Sequence, residues 1–189
     1  MDTWGTDDIT PYIYFENSFD GSGSIQLSVV MLRQWCANGM TYMFKDNNFS
    51  WAIRHTNSAM QYLEQAHQNI LNTQNYIEQF EQEMELLQQK KLPNFMDFSN
   101  YLFPVPADAT DRVKSNIFSQ RNELVSIYNS KDDIKPFKGT QYGAYMAVTD
   151  LASHSVPLRQ SKTADEKRFF KLVKGNDWVS KAQDFFQVA

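Results

Sequence analysis

Cysteine is almost absent. Cys36 is the one thiol in 189 residues, so no internal disulfide can staple the chain and no Cys-x-x-Cys metal or redox motif can form. Histidine is scarce too: His55, His67 and His154 are the full set, and no two stand four apart as a helical metal pair requires. The seven glycines include no phosphate-loop signature, no dinucleotide fingerprint after a strand and no Gly-x-Ser-x-Gly nucleophile elbow. Long apolar runs are missing, and the opening Met-Asp-Thr-Trp-Gly carries acid where a secretory leader carries base. These absences lead to the expectation of a soluble, intracellular, non-enzymatic protein with no cofactor, no metal and no membrane contact.

What is present begins with charge. Up to residue 89 there are three basic residues against eleven acidic; from Lys90 onward there are fifteen against eleven. Any contact with a polyanion is therefore expected in the second half, unless the two halves simply attract each other. The length suits a single domain spanning 1–189, with a β-rich part over 12–56 and a helical part over 57–189.

The stretch 48–91 organises the chain. It alternates like a half-buried strand through Thr56, then changes period. Leu63, Ala66, Ile70, Thr73, Ile77, Phe80, Met84 and Leu87 recur at alternating spacings of three and four, a heptad seam with a polar break at Thr73. Ser58-Ala59-Met60-Gln61 has the form of a capping box, and Lys90-Lys91 before Pro93 marks the end. A helix of that length makes a rod about 45 Å long. The seam is read as the core side of an intramolecular pair rather than a coiled coil between chains. Glu78, Glu81, Glu83 and Glu85 then form a solvated face.

Ahead of it, Tyr12-Ile13-Tyr14-Phe15 and residues 25–32 read as strands of a hairpin turning at Asp20-Gly21-Ser22-Gly23. Asn38-Gly39 reads as a turn before a short strand at 42–44. Cys36 reads as a small buried apolar residue. Beyond the long helix come a short helix over 94–102 with Phe95, Phe98 and Leu102 inward, then a Pro-rich linker. A long helix starting between Asp108 and Asp111 follows, burying Val113, Ile117, Leu124 and Tyr128 against the first. Thr140 caps a third helix through Ser153, and further helices span 164–174 and 177 to the end, the last with Val179, Ala182, Phe185 and Phe186 apolar. The fold class is α+β: a small antiparallel sheet of three to four strands, a long helix and a C-terminal helical layer. Strands leading into a long helix also occur in single-strand annealing proteins of phage recombination, an analogy of element order alone.

The blocks Tyr-Ile-Tyr-Phe-Glu-Asn-Ser-Phe-Asp-Gly-Ser, Arg-Gln-Trp-Cys-Ala-Asn-Gly-Met, Ile-Arg-His-Thr, Gly-Thr-Gln-Tyr and Ala-Val-Thr-Asp with a following His occur here in that order. In that order they resemble the phage/plasmid-like protein family built on domain of unknown function 932. The resemblance covers nearly the whole chain but the C-terminal part of the family's usual length. Its motif positions fall on Asp20, Gly21, Arg33, Cys36, Asn38, Arg54, His55, Thr56, Thr149 and His154. Met146 stands where the family commonly has asparagine. The resemblance implies a protein of phages, plasmids and their bacterial hosts, hence the host cytoplasm, and it brings no reaction or substrate.

Two function classes remain. Lys167, Lys171 and Lys174 recur at i, i+4 and i+7 beside Arg168, with Arg159, Lys162 and Lys181 near in sequence, a pattern suited to phosphate contact. Trp178, taken as exposed, could stack on unpaired bases, which favours single-stranded nucleic acid. The bland reading of the same lysines is a solvated helix edge. The alternative class is a protein-interaction module that engages a host or phage protein through the acidic long helix. His55, His154 and Asp150 are the residues from which a metal or acid-base group could be drawn, but capping or hydrogen bonding accounts for them more simply. His67 reads as a helix-face residue, and Asp132-Asp133 as a solvated loop pair.

Overall fold

The computed structural model describes residues 9–16, 24–33, 38–40, 50–54, 67–68, 71–154 and 176–188. The expected turn at Asp20 and Gly21, the strand at 42–44, the capping box at 58–61, the seam positions Leu63, Ala66 and Ile70, and the helix over 164–174 lie outside them. Cys36 does as well. The described residues are α-rich, and the chain divides into two compact units, Met1–Gln82 and Glu83–Ala189.

In the first unit four strands are described: β1 Ile9–Glu16, β2 Ser24–Arg33, β3 Asn38–Met40 and β4 Ser50–Arg54. β2 is paired along its length with β1, antiparallel, with Tyr12 opposite Val30 and Phe15 opposite Leu27. β3 and β4 pair with successive parts of β2, Met31 opposite Met40 and Leu27 opposite Trp51. Asn38 and Gly39 thus belong to a strand and not to the turn that the dipeptide suggests: backbone pairing with Arg33 and Leu32 outweighs the local turn preference. Val29 and Met31, two apart on β2, are buried, whereas Tyr12, Ile13 and Phe15 on β1 are exposed.

Helix α1, Thr73–Gln89, is the described part of the long helix. His67, Gln68 and Leu71 are also helical, and Asn72 donates to the Gln68 carbonyl at 3.0 Å and accepts from the Tyr76 N–H at 3.2 Å, the i to i−4 spacing of a helix. The buried stripe of α1 is Tyr76, Phe80, Met84 and Leu87, while Ile77 is half-buried. Those buried positions recur every 3.7 residues or about that, the period of a straight helix, whereas the heptad seam assumes 3.5. The seam reading is corrected accordingly: the stripe passes through Tyr76 rather than Ile77.

The second unit is built around a helix with no wet side. Helices α2 (Phe95–Leu102), α3 (Asp111–Ser130), α4 (Gln141–His154) and α5 (Asp177–Val188) follow α1, with a 3-10 turn at Lys135–Phe137 before α4. Every residue of α4 from Gln141 to Ala152 is buried. A helix enclosed on all faces must be covered by several neighbours; α3, α5 and the 3-10 turn supply them, and α2 packs on both α3 and α5. Phe98 of α2 stacks on Phe186 at 5.3 Å and meets Phe185 edge-on at 5.2 Å, which knits α2 to α5.

Helix starts follow local chemistry. Asn94 accepts from the Met96 N–H at 2.9 Å, Thr110 from the Val113 N–H at 3.4 Å, Thr140 from the Gly143 N–H at 3.1 Å and Asn176 from the Trp178 N–H at 2.9 Å. The expected α3 core is half right. Leu124 and Tyr128 are buried, with Ile127, but Val113 is exposed and Ile117 only half-buried, because the first three turns of α3 hold no buried residue. The buried face of α3 lies in its C-terminal half. Among the described residues no helix is long and apolar enough to cross a membrane.

Truncating Leu124 to Ala should therefore cost about 2–5 kcal/mol, while Val113→Ala should stay within about 0.5 kcal/mol. Urea denaturation of the two variants checks this; equal losses would mean that the α3 face is assigned wrongly.

Candidate functional site

The end of α1 and the start of α4 are joined by main chain. Lys91 stands opposite Thr140 in an isolated antiparallel bridge, the Leu92 N–H donates to the Gly139 carbonyl at 2.8 Å, and the Gln141 N–H donates to the Lys90 carbonyl at 3.0 Å. Gly139 is the crossing point. Its own N–H donates to the Tyr128 hydroxyl at 2.7 Å, and its φ of 83° lies where a side chain is disfavoured. Next to it, the Thr140 hydroxyl donates to the Phe137 carbonyl at 2.7 Å while it accepts from Gly143. Gly143 allows that closeness, since a Cβ there would stand 2.3 Å from the Phe137 carbonyl oxygen.

Around this junction are cations of two kinds. Lys131 is paired with Asp150 at 3.1 Å; the carboxylate is buried and the lysine about half-exposed. Lys135 is paired with Asp132 at 2.5 Å, and its ammonium, first by hydrogen bonding and then by charge, holds that carboxyl below the usual aspartate range. A lowered pKa means that this exposed pair persists as pH falls and is lost only below the ordinary carboxylate range. Lys138, by contrast, donates to the Asn129 carbonyl at 3.1 Å and to its side-chain oxygen at 3.2 Å, both neutral acceptors, with its ammonium 5.9 Å from the Tyr128 ring centre. Lys90 and Lys91 are exposed, and among the described residues no carboxylate lies within ion-pair distance of either, or of Lys138.

The polar residues inside α4 turn to protein partners. Thr149 donates to the Met146 carbonyl at 2.9 Å, and Ser153 to the Thr149 carbonyl at 2.7 Å. Asp150, one of the three residues from which a metal set could be drawn, faces Lys131 instead; His154 is exposed at the helix end, and His55 lies outside the described residues. Among the described residues no three His, Cys, Asp or Glu side chains gather as a metal set. Three buried atoms, Ser99 Oγ, Gln141 Oε1 and Gln183 Nε2, have no hydrogen-bond partner among the described residues.

The family described as "Domain of unknown function (DUF932)" matches residues 1–173. The chain belongs to it. No curated protein and no solved structure matches. Of the residues expected from the resemblance to be motif positions, Arg33, Asn38 and Arg54 lie at strand ends, Thr149 is buried in α4 and His154 ends it. Asp20, Gly21, Cys36, His55 and Thr56 lie outside the described residues.

Of the cations expected to contact phosphate, Arg159, Lys162, Lys167, Arg168, Lys171 and Lys174 also lie outside them, and Lys181 is exposed on α5. Trp178 is not the exposed platform that its position in sequence suggests. It is half-buried, and its ring meets Phe103 edge-on at 5.3 Å, because α5 needs apolar cover at its first turn. His67 is exposed, as a helix-face residue should be. The junction lysines escaped sequence reasoning: Lys90 and Lys91 look like ordinary helix-end cations, and nothing local links them to Lys138.

Gly143→Ala should destabilise by about 1–3 kcal/mol, since backbone must move to admit the methyl group. Gly139→Ala, with open space but a positive φ, should cost about 1 kcal/mol. Thermal melts of both variants test the order; a harmless Gly143→Ala would contradict the close approach at Phe137.

Proposed function

We propose that the protein is a non-enzymatic accessory protein of phage or plasmid setting that contacts nucleic acid, with single strands preferred, through the basic end of its chain. The observation that carries this is the charge over residues 159–181, seven cations against three acids in a chain of net charge -4. Clustered cations in an otherwise acidic protein localise attraction for phosphate instead of spreading it. The preference for single strands rests on the fold read as α+β, strands leading into helices, and on its analogy of element order, since Trp178 does not supply a free stacking face. The exposed position of Lys181 supports its inclusion.

A second reading has an observation of its own. Glu78, Glu81 and Glu85 are exposed on α1, with Leu86 exposed beside them, the mixture through which a helix engages a basic protein partner. That reading makes the protein an interaction module for a host or phage protein.

Salt separates the two. Labelled single- and double-stranded oligonucleotides, followed by fluorescence polarisation over a salt series, should bind with steeply falling affinity. A Lys167→Gln, Lys171→Gln, Lys174→Gln variant should lose affinity for all sequences alike and flatten the slope of log affinity against log salt by roughly two to three units. Absence of binding by the wild type at low salt, or an unchanged slope in the variant, favours the interaction module.

A further inference from the structure

We propose that Lys90, Lys91 and Lys138 form a second phosphate-contacting patch, at the bridge between the end of α1 and the start of α4. The proposal rests on the nucleic-acid reading above and adds to it a surface that the basic end of the chain does not contain.

Four observations carry it. The first is placement: the bridge sets Lys91 opposite Thr140, and with the Lys90 to Gln141 hydrogen bond it puts the Lys90-Lys91 pair beside the segment that Lys138 begins. Paired chains lie about 4.8 Å apart, so the segment of Lys138 runs beside the Lys90-Lys91 pair although Lys138 lies 47 positions beyond Lys91 in sequence. The second is charge: the neighbouring Lys131 and Lys135 are each held by an aspartate, whereas no carboxylate pairs with these three among the described residues. Helix-end attraction gives a partial account of Lys90, yet Lys91 stands past the helix in the bridge and Lys138 belongs to no helix.

The third is orientation, since Lys138 is anchored by two hydrogen bonds to Asn129, which cuts the rotamer freedom that a phosphate contact must otherwise remove. The fourth is what the junction lacks. Protein partners dock on large apolar anchors, and among the described residues of the second unit the exposed large apolar ones, Leu86, Met96, Tyr101, Val113 and Phe118, include none within 90–92 or 137–141. Cations without an apolar anchor fit a sugar-phosphate backbone, which asks for point charges and no pocket. Lysine suits that role, being a compact charge on a long stem.

The test compares two charge-removing variants in the same polarisation assay. Lys90→Gln, Lys91→Gln, Lys138→Gln should bind labelled oligonucleotide at least about tenfold more weakly near 0.1 M salt, with the salt slope flattened by about two units. The Lys90→Gln, Lys91→Gln double variant, which removes no side-chain hydrogen bond seen in the structure, should shift the slope the same way by about one to two units. A charge-keeping variant with arginine at all three positions should bind like the wild type. If both Gln variants bind with unchanged affinity and slope while the Lys167, Lys171, Lys174 variant is weakened, the patch is refuted and the basic end of the chain stands alone. If the wild type binds no oligonucleotide at low salt, or binds a labelled Glu-rich peptide in its place, both the patch and the nucleic-acid reading fall.

Discussion

A helix buried on every side has no face to give to water, and the second unit is arranged to meet that demand of α4. From Gln141 to Ala152 the residues are enclosed, so α3, α5 and the 3-10 turn each supply cover, and α2 closes over α3 and α5. Enclosure also fixes what polar groups in α4 can do. Thr149 and Ser153 return their hydroxyls to carbonyls of their own helix, and Asp150 reaches the one lysine that arrives from the end of α3. Removing Lys131 would take from a buried carboxylate the cation 3.1 Å away, a loss that costs more than the intact pair contributes. The pair therefore sets how α3 ends relative to α4.

The same enclosure explains the density of contacts at the start of α4. Helix ends leave backbone groups unsatisfied, and those of a buried helix cannot turn to solvent. Here Thr140 satisfies the Gly143 N–H, and the Gln141 N–H finds the Lys90 carbonyl across the bridge. Two glycines make this possible for different reasons, Gly139 through its backbone angle and Gly143 through the space it leaves for Phe137.

What the sequence made legible was what short-range chemistry decides. Thr140 could be placed at a helix start because a capping oxygen reaches N–H groups two or three residues on, and the helices beginning near Asn94 and between Asp108 and Asp111 were bounded by the same kind of local signal. The Tyr76 stripe was one residue away from legible, since a heptad and a straight helix differ by a fraction of a residue per turn. Val113 and Ile117 show a different limit. Periodicity tells which residues share a face but not whether anything covers it, and the first turns of α3 go uncovered. Of the candidate site, the basic end of the chain was legible as composition. The Lys131 to Asp150 pair and the lysines at the bridge were not, because both depend on contacts between residues far apart in sequence, as does the cover that takes Trp178 out of play.

The bridge has a consequence for the order of folding. Lys91 and Thr140 are 49 positions apart, so pairing them closes a long loop, at an entropic cost of roughly 3–4 kcal/mol before the constant for closure is added. The helices between them form from local contacts and shorten the effective loop, so the bridge should close after α2 and α3 are in place. Joined by few hydrogen bonds, it should also be among the first contacts to open in the native state. On that account the surface that carries Lys90, Lys91 and Lys138 should assemble late and release early, with the amide hydrogens at Leu92 and Gln141 exchanging ahead of those within α4.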